Sequence, residues 1–196
     1  MLTFGVDLAS QDRLTAGCLV DWLDRPLVVE VMHPLSDEVI VRWARDPEVG
    51  VTAIDAPFGW PHAFVDALAK YGLGQPFPEP IGNLWLRSEV YPAAALAVWQ
   101  IASGRYKRPD GVEARRALLR ALVEALPGLD VGDHGPTLVA TDHAIDALIA
   151  ALVGRAHMLG QVRRPTDAQA KDAAVEGWIW LPDRPARFLL GTNWEG

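Results

Sequence analysis

Cysteine is almost absent: Cys18 is the single one in 196 residues, so no intramolecular disulfide can form and a reducing compartment is expected. Its neighbours Ala16, Gly17, Leu19 and Val20 are small or apolar, which predicts a buried structural thiol rather than a nucleophile. Uninterrupted apolar runs are missing too. The longest such stretch, Leu138 to Leu159, carries Asp142, His143, Asp146, Arg155 and His157, and those groups argue against a membrane span. No glycine-rich phosphate loop of the P-loop type occurs, which weakens a kinase or nucleoside triphosphatase reading. The histidines His33, His62, His134, His143 and His157 have no zinc-type spacing. Positive charge is scarce. With 18 basic and 25 acidic residues the net charge is −7, so the basic footprint of a protein coated in nucleic acid is lacking, although a local basic groove stays open. The chain enters a strand pattern at once, with no basic leader, and a cytoplasmic protein is expected.

What is present is a globular composition, 50% hydrophobic and 22% charged, with enough length for one domain, residues 1–196, to bury its own core. Leu2, Phe4, Val6 and Leu8 alternate with Thr3, Gly5, Asp7 and Ala9, the period of a strand. Strands are expected again over Thr15 to Trp22 and Leu27 to Met32, and the short turns between them imply an antiparallel meander. Ser36 suits the N-cap of a helix reaching Arg45. A fourth strand over Val51 to Ala56, entered from that helix, should lie parallel to an earlier one. Helices follow from Pro61 to Tyr71 and from Pro92 to Gly104, with a Gly- and Pro-rich loop from Gly72 to Asn83 and a short fifth strand over Leu86 to Tyr91 between them. Asp110 and Glu113 resemble a capping box for a helix ending at Pro127. One long helix is expected from Leu138 to Leu159, another from Thr166 to Gly177, and a final strand or buried turn over Glu176 to Pro182. The order predicts an α/β fold: a mixed five-stranded sheet with helices on both faces.

Several acidic residues sit where chemistry is possible. Asp7 and Asp55 each end a strand, and the parallel crossover would set them one strand spacing apart, ~5 Å. Carboxylates that close repel unless they share a proton or a cation. Strand-end capping for Asp7 and a turn-forming aspartate before Pro57 are the plainer roles. In Thr141-Asp142-His143-Ala144-Ile145-Asp146, residues three and four apart share one helix face. Asp142 also suits a helix cap and His143 a solvated imidazole, whereas Asp146, followed by Ala147, Leu148 and Ile149, needs a partner inside an apolar helix. Glu89 ends the fifth strand and is a further ligand or a strand-edge charge. Clustered carboxylates favour hard cations, Mg²⁺ or Mn²⁺, over zinc. Arg105-Tyr106-Lys107-Arg108, Arg163-Arg164 and Arg155 are available to phosphates, though each is equally an ordinary solvated charge.

The motifs GVDLAS (Gly5 to Ser10), IDAPFGWP (Ile54 to Pro61), EVYPAA (Glu89 to Ala94), DHAIDALIAAL (Asp142 to Leu152) and EGWIWLP (Glu176 to Pro182) resemble the domain of unknown function 429 family, regarded as RNase H-like nucleases. The stretch His143 to Leu148 also looks like the last helix of Holliday-junction resolvases, where an acidic residue or histidine precedes the catalytic aspartate by three. The resemblance implies an RNase H-like fold with Asp7, Asp55 and Asp146 as metal ligands, Asp142 or His143 assisting, and Glu89 as an additional site residue. The chain departs from the family in the short segment from Gly72 to Arg87, which has no Arg-x-Thr-Asp element before the EVYPAA motif.

The expectation is therefore a metal-dependent nuclease, a hydrolase using Mg²⁺ or Mn²⁺ on nucleic acid. Its catalytic residues would be Asp7, Asp55, Glu89, His143 and Asp146, and its metal ligands Asp7, Asp55, Asp142 and Asp146. The rival expectation is a non-catalytic or small-ligand-binding RNase H-like protein, its ligand a nucleotide or phosphate ester.

Overall fold

The computed structural model describes residues 1–55, 90–176 and 178–191. Of these, 1–55, 90–163 and 181–191 form one compact unit, while 164–176 and 178–180 belong to a second.

In the first unit, strands β1 (Leu2–Asp7), β2 (Ala16–Asp21) and β3 (Leu27–Met32) form the expected antiparallel meander. Helix α1 (Asp37–Ala44), with Ser36 at its N-cap, leads into β4 (Val49–Asp55). That strand lies parallel to β1, giving a mixed sheet of order β3-β2-β1-β4. Among the described residues the sheet has four strands, not five. The fifth was expected over Leu86 to Tyr91, of which 86–89 lie outside the described residues. Val90 and Tyr91 are not strand, although the Val90 N–H donates to the Ile54 carbonyl at 3.2 Å.

Alternation along β1 divides the core. Phe4 and Val6 pack with Leu19 and Leu35, and against this cluster lie Val39, Ile40 and Trp43 of α1. The other face, with Thr3, Gly5 and Asp7, meets a long helix.

Helix α2 (Pro92–Val98) is shorter than the predicted run to Gly104, because the chain turns at Gln100 with φ 60°. Helix α3 (Val112–Ala125) has Gly111 as its N-cap, and neither Asp110 nor any other side chain caps it. The helix expected from Leu138 to Leu159 is two helices, α4 (Gly135–Ala140) and α5 (Asp142–Met158). Thr141 causes the break: its backbone is extended and its Oγ1 accepts from the Ala144 N–H at 3.2 Å. The cap is therefore Thr141, and Asp142 and His143 fall in the first turn.

Helix α5 is buried along most of its length, including Ala144 to Leu152. It lies very close to β1, where a Cβ on Gly5 would overlap the Ala147 carbonyl and the Ala151 backbone nitrogen. Near its far end a Cβ on Gly154 would stand 2.8 Å from Val51 Cγ1 and 3.2 Å from Ala53 Cβ. Small residues on both elements permit this approach. These contacts run α5 antiparallel to β1 and β4, so its N-terminus sits at their carboxyl ends.

Beyond α5, the segment predicted as a strand or buried turn contains no strand among its described residues; Pro182 makes an isolated bridge to Val162. In the second unit, helix α6 (Asp167–Glu176) begins at Thr166, whose backbone N–H and hydroxyl donate to Gln169 Oε1 at 3.1 and 2.8 Å. That is one half of a capping box.

Candidate active site

Asp7 and Asp55 are register partners at the ends of the parallel strands β1 and β4. Register partners on neighbouring strands project to the same face, here the face that α5 covers. In open α/β sheets, the carboxyl ends of strands are where ligands gather.

Asp7 accepts a hydrogen bond from His143 Nδ1 at 2.7 Å. Burial pushes the Asp7 carboxyl above its usual range; His143 and Lys107 oppose that rise, and Asp142 adds to it. The His143 ring lies 5.9 Å from that of His33, which donates from Nδ1 to the Thr15 carbonyl at 3.1 Å. Thr15 Oγ1 in turn accepts from the Ala9 N–H at 3.1 Å and so fixes the chain just beyond Asp7.

Asp146 lies one helical turn below Asp142 and His143 and is 1% exposed. Both of its oxygens are engaged. Tyr106 Oη donates to Oδ1 at 2.9 Å, and Lys107 Nζ stands 2.7 Å from Oδ2. Burial pushes the Asp146 carboxyl up to about 6 even though Lys107 and Tyr106 hold it down. At neutral pH the pair is thus an ammonium facing a carboxylate. Desolvation lowers the Lys107 ammonium pKa, but the charges of Asp146, Asp55 and Asp7 outweigh that and leave it raised. Burial also raises the Tyr106 phenol, reinforced by Asp146, Asp55 and Asp142. One lysine therefore feels three carboxylates from β1, β4 and α5.

The turn carrying Tyr106 and Lys107 is held by Arg115 of α3, which is 3% exposed. Its Nη1 donates to the carbonyls of Tyr106 at 2.8 Å and Arg108 at 3.0 Å. Nε and Nη2 donate to the carbonyls of Val139 at 2.7 Å and Ala140 at 3.1 Å, just before the Thr141 cap. A single guanidinium thus ties the lysine turn to the entry of α5.

The structure gathers Asp7, Asp55, Asp142, His143 and Asp146 at one end of the sheet. Glu89 lies outside the described residues, as do the expected 61–71 helix and 72–83 loop. Among the described residues, no three histidine, cysteine, aspartate or glutamate side chains are grouped as ligands of a metal ion would be. The physical reason is that Asp7 is turned to His143 while Asp146 is held by Tyr106 and Lys107. Tyr106, Lys107 and Arg115 are the residues sequence reasoning missed as a unit. The basic run Arg105 to Arg108 drew attention only as a phosphate contact, and nothing local signals that its lysine meets a buried aspartate. Arg155 is structural in part: its Nε donates to the Leu189 carbonyl at 3.1 Å and its guanidinium lies 5.0 Å from the Trp22 ring centroid.

No curated protein and no solved structure matches the chain. A family model, described as protein of unknown function (DUF429), matches residues 75–170. The matched stretch includes Lys107, Arg115, Asp142, His143 and Asp146, and leaves Asp7 and Asp55 outside it. The match supports the DUF429 family for this chain, the same family that its five motifs resemble.

Proposed function

We propose that the chain is a metal-dependent nuclease of the RNase H-like kind, hydrolysing phosphodiesters of nucleic acid in the cytoplasm. The observation that carries this reading is that Asp7 and Asp55 are register partners at the strand ends, at the same end of the sheet as Asp146, whose carboxylate meets the Lys107 ammonium. A meander followed by a parallel fourth strand, in the order β3-β2-β1-β4, is also the strand order of an RNase H-like sheet.

The donor chemistry fits Mg²⁺ or Mn²⁺. Carboxylates are the ligands such hard cations prefer, and the Lys107 ammonium already stands against Asp146 as a positive charge in the site. Asp7, Asp55 and Asp146 would hold the ion, with Asp142, in the first turn of α5, as a further ligand. When bound, the ion would supply an activated water and charge stabilisation at the leaving oxygen. The chain's own residues do the rest. His143 orients the Asp7 carboxylate, Tyr106 fixes that of Asp146, and the N-terminus of α5 adds a positive dipole end.

The test is cleavage of RNA, duplex DNA and branched DNA with Mg²⁺ or Mn²⁺. Activity should require the ion and fall at least about a hundredfold in Asp7→Asn, the order of loss for removing one key electrostatic group. No metal-dependent cleavage of any of the three overturns the reading. A second reading, a protein that binds a nucleotide or phosphate ester without cleaving nucleic acid, is favoured by the net charge of −7. Saturable binding of a mononucleotide with no turnover would select it.

A further inference from the structure

The structure assigns Lys107 the role of an internal counter-cation that must leave Asp146 before a divalent ion can bind. The inference rests on the metal reading above and specifies how the site is kept without its ion.

The distances carry the argument. Asp146 has two oxygens; Tyr106 occupies one at 2.9 Å and Lys107 the other at 2.7 Å. Each oxygen keeps a second lone pair, but Asp146 is 1% exposed, so an incoming ion reaches the carboxylate only where one partner withdraws. Tyr106 is 3% exposed and hemmed in, whereas the Lys107 side chain is 47% exposed. Its four-carbon stem can rotate into water and leave no void behind. The backbone need not follow, because Arg115 pins the carbonyls on either side, Tyr106 and Arg108. One ammonium neutralises one of three convergent carboxylates, so a divalent ion replacing it gains in charge complementarity. Lys107 thus spares a buried carboxylate from lacking a counter-charge, and it competes with the metal for that carboxylate.

The chain has three lysines, Lys70, Lys107 and Lys171, which makes the exchange observable directly. Mn²⁺ titration calorimetry on wild type, Lys107→Met and Lys107→Arg is combined with thermal unfolding with and without the ion. Lys107→Met should bind Mn²⁺ about tenfold more tightly than wild type, the scale of one lost competing ion pair. Without metal it should melt below wild type, and Mn²⁺ should restore it. Lys107→Arg should bind no more tightly than wild type. On wild-type protein carrying ¹³C-dimethylated lysines, Mg²⁺ should move the Lys107 resonance toward the position of a solvated lysine, with Lys70→Arg and Lys171→Arg supplying the assignment. Measurable Mn²⁺ affinity that is unchanged or weakened in Lys107→Met overturns the inference while sparing the metal reading. If Lys107→Met does not fold, a Lys107 resonance unmoved by saturating Mg²⁺ overturns it instead. Folded protein that binds neither ion overturns the metal reading, and this inference with it.

Discussion

Arg115 and Asp146 never touch, yet two hydrogen bonds join them through one residue: Arg115 donates to the Tyr106 carbonyl at 2.8 Å, and the Tyr106 hydroxyl donates to Asp146 at 2.9 Å. Replacing the guanidinium by an apolar chain would take a donor from four carbonyls, of which that of Arg108 keeps the Gly111 N–H at 2.8 Å as a second partner. Arg115→Met should therefore cost on the order of 3 kcal/mol in urea unfolding, as expected when a buried, multiply bonded group is lost. Arg115→Lys should recover only part, since an ammonium cannot span the same fork. Wild-type stability in Arg115→Met would show the clamp to be idle.

Stability should depend on pH through Asp146. Its folded pKa of about 6 lies above the ordinary 3.8, so the folded chain favours the neutral acid. The contribution is fully present below about 3.8 and is lost as pH rises through about 6, amounting to on the order of 3 kcal/mol. Asp7, raised in the same direction, adds to the same slope. Asp146→Asn should flatten stability between pH 4 and 7 in urea melts of metal-free protein, a window set by those two values. An unchanged slope would locate the titration elsewhere.

Gly5 is the point where sheet and helix come closest. A Cβ there would stand 2.9 Å from the Ala151 Cα, in addition to overlapping the α5 backbone. Gly5→Ala should destabilise by about 3 kcal/mol or more, as overpacking against backbone does. Because α5 carries Asp142, His143 and Asp146, its displacement should also lower any metal affinity. Calorimetric unfolding checks the first effect and Mn²⁺ titration the second.

Thr141 starts α5 with a side-chain cap on the Ala144 N–H. Thr141→Ala should cost about 1 kcal/mol and speed amide exchange in the first turn of α5. Thr141→Ser should behave like wild type. Equal exchange in all three proteins would count against the cap.

Cys18 is fully buried in β2, and desolvation pushes its thiol far up. Native protein should not react with a disulfide reagent on the timescale of mixing, and should react once unfolded in guanidinium. Immediate reaction of the native thiol would contradict the burial.

The meander, α1 and β4 were legible because period-two alternation and turn residues act over a few positions. The break at Thr141 was not, since Leu138 to Leu159 is apolar on both sides of it and only a backbone extended at one residue divides the helices. The missed cap at Gly111 has a similar origin: Asp110 and Glu113 have the right spacing, but the chain turns one residue later.

The sequence alone determined the strand order in time, the carboxylates at the ends of β1 and β4, and an aspartate stranded in an apolar helix. Each follows from local periodicity and from the cost of burying charge. Only the tertiary structure decided what meets that aspartate. Tyr106 and Lys107 lie 40 and 39 residues before Asp146, and their approach is set by Arg115 bonding distant carbonyls and by α5 seating on Gly5. Such contacts depend on packing between remote segments, which no pattern along the chain records.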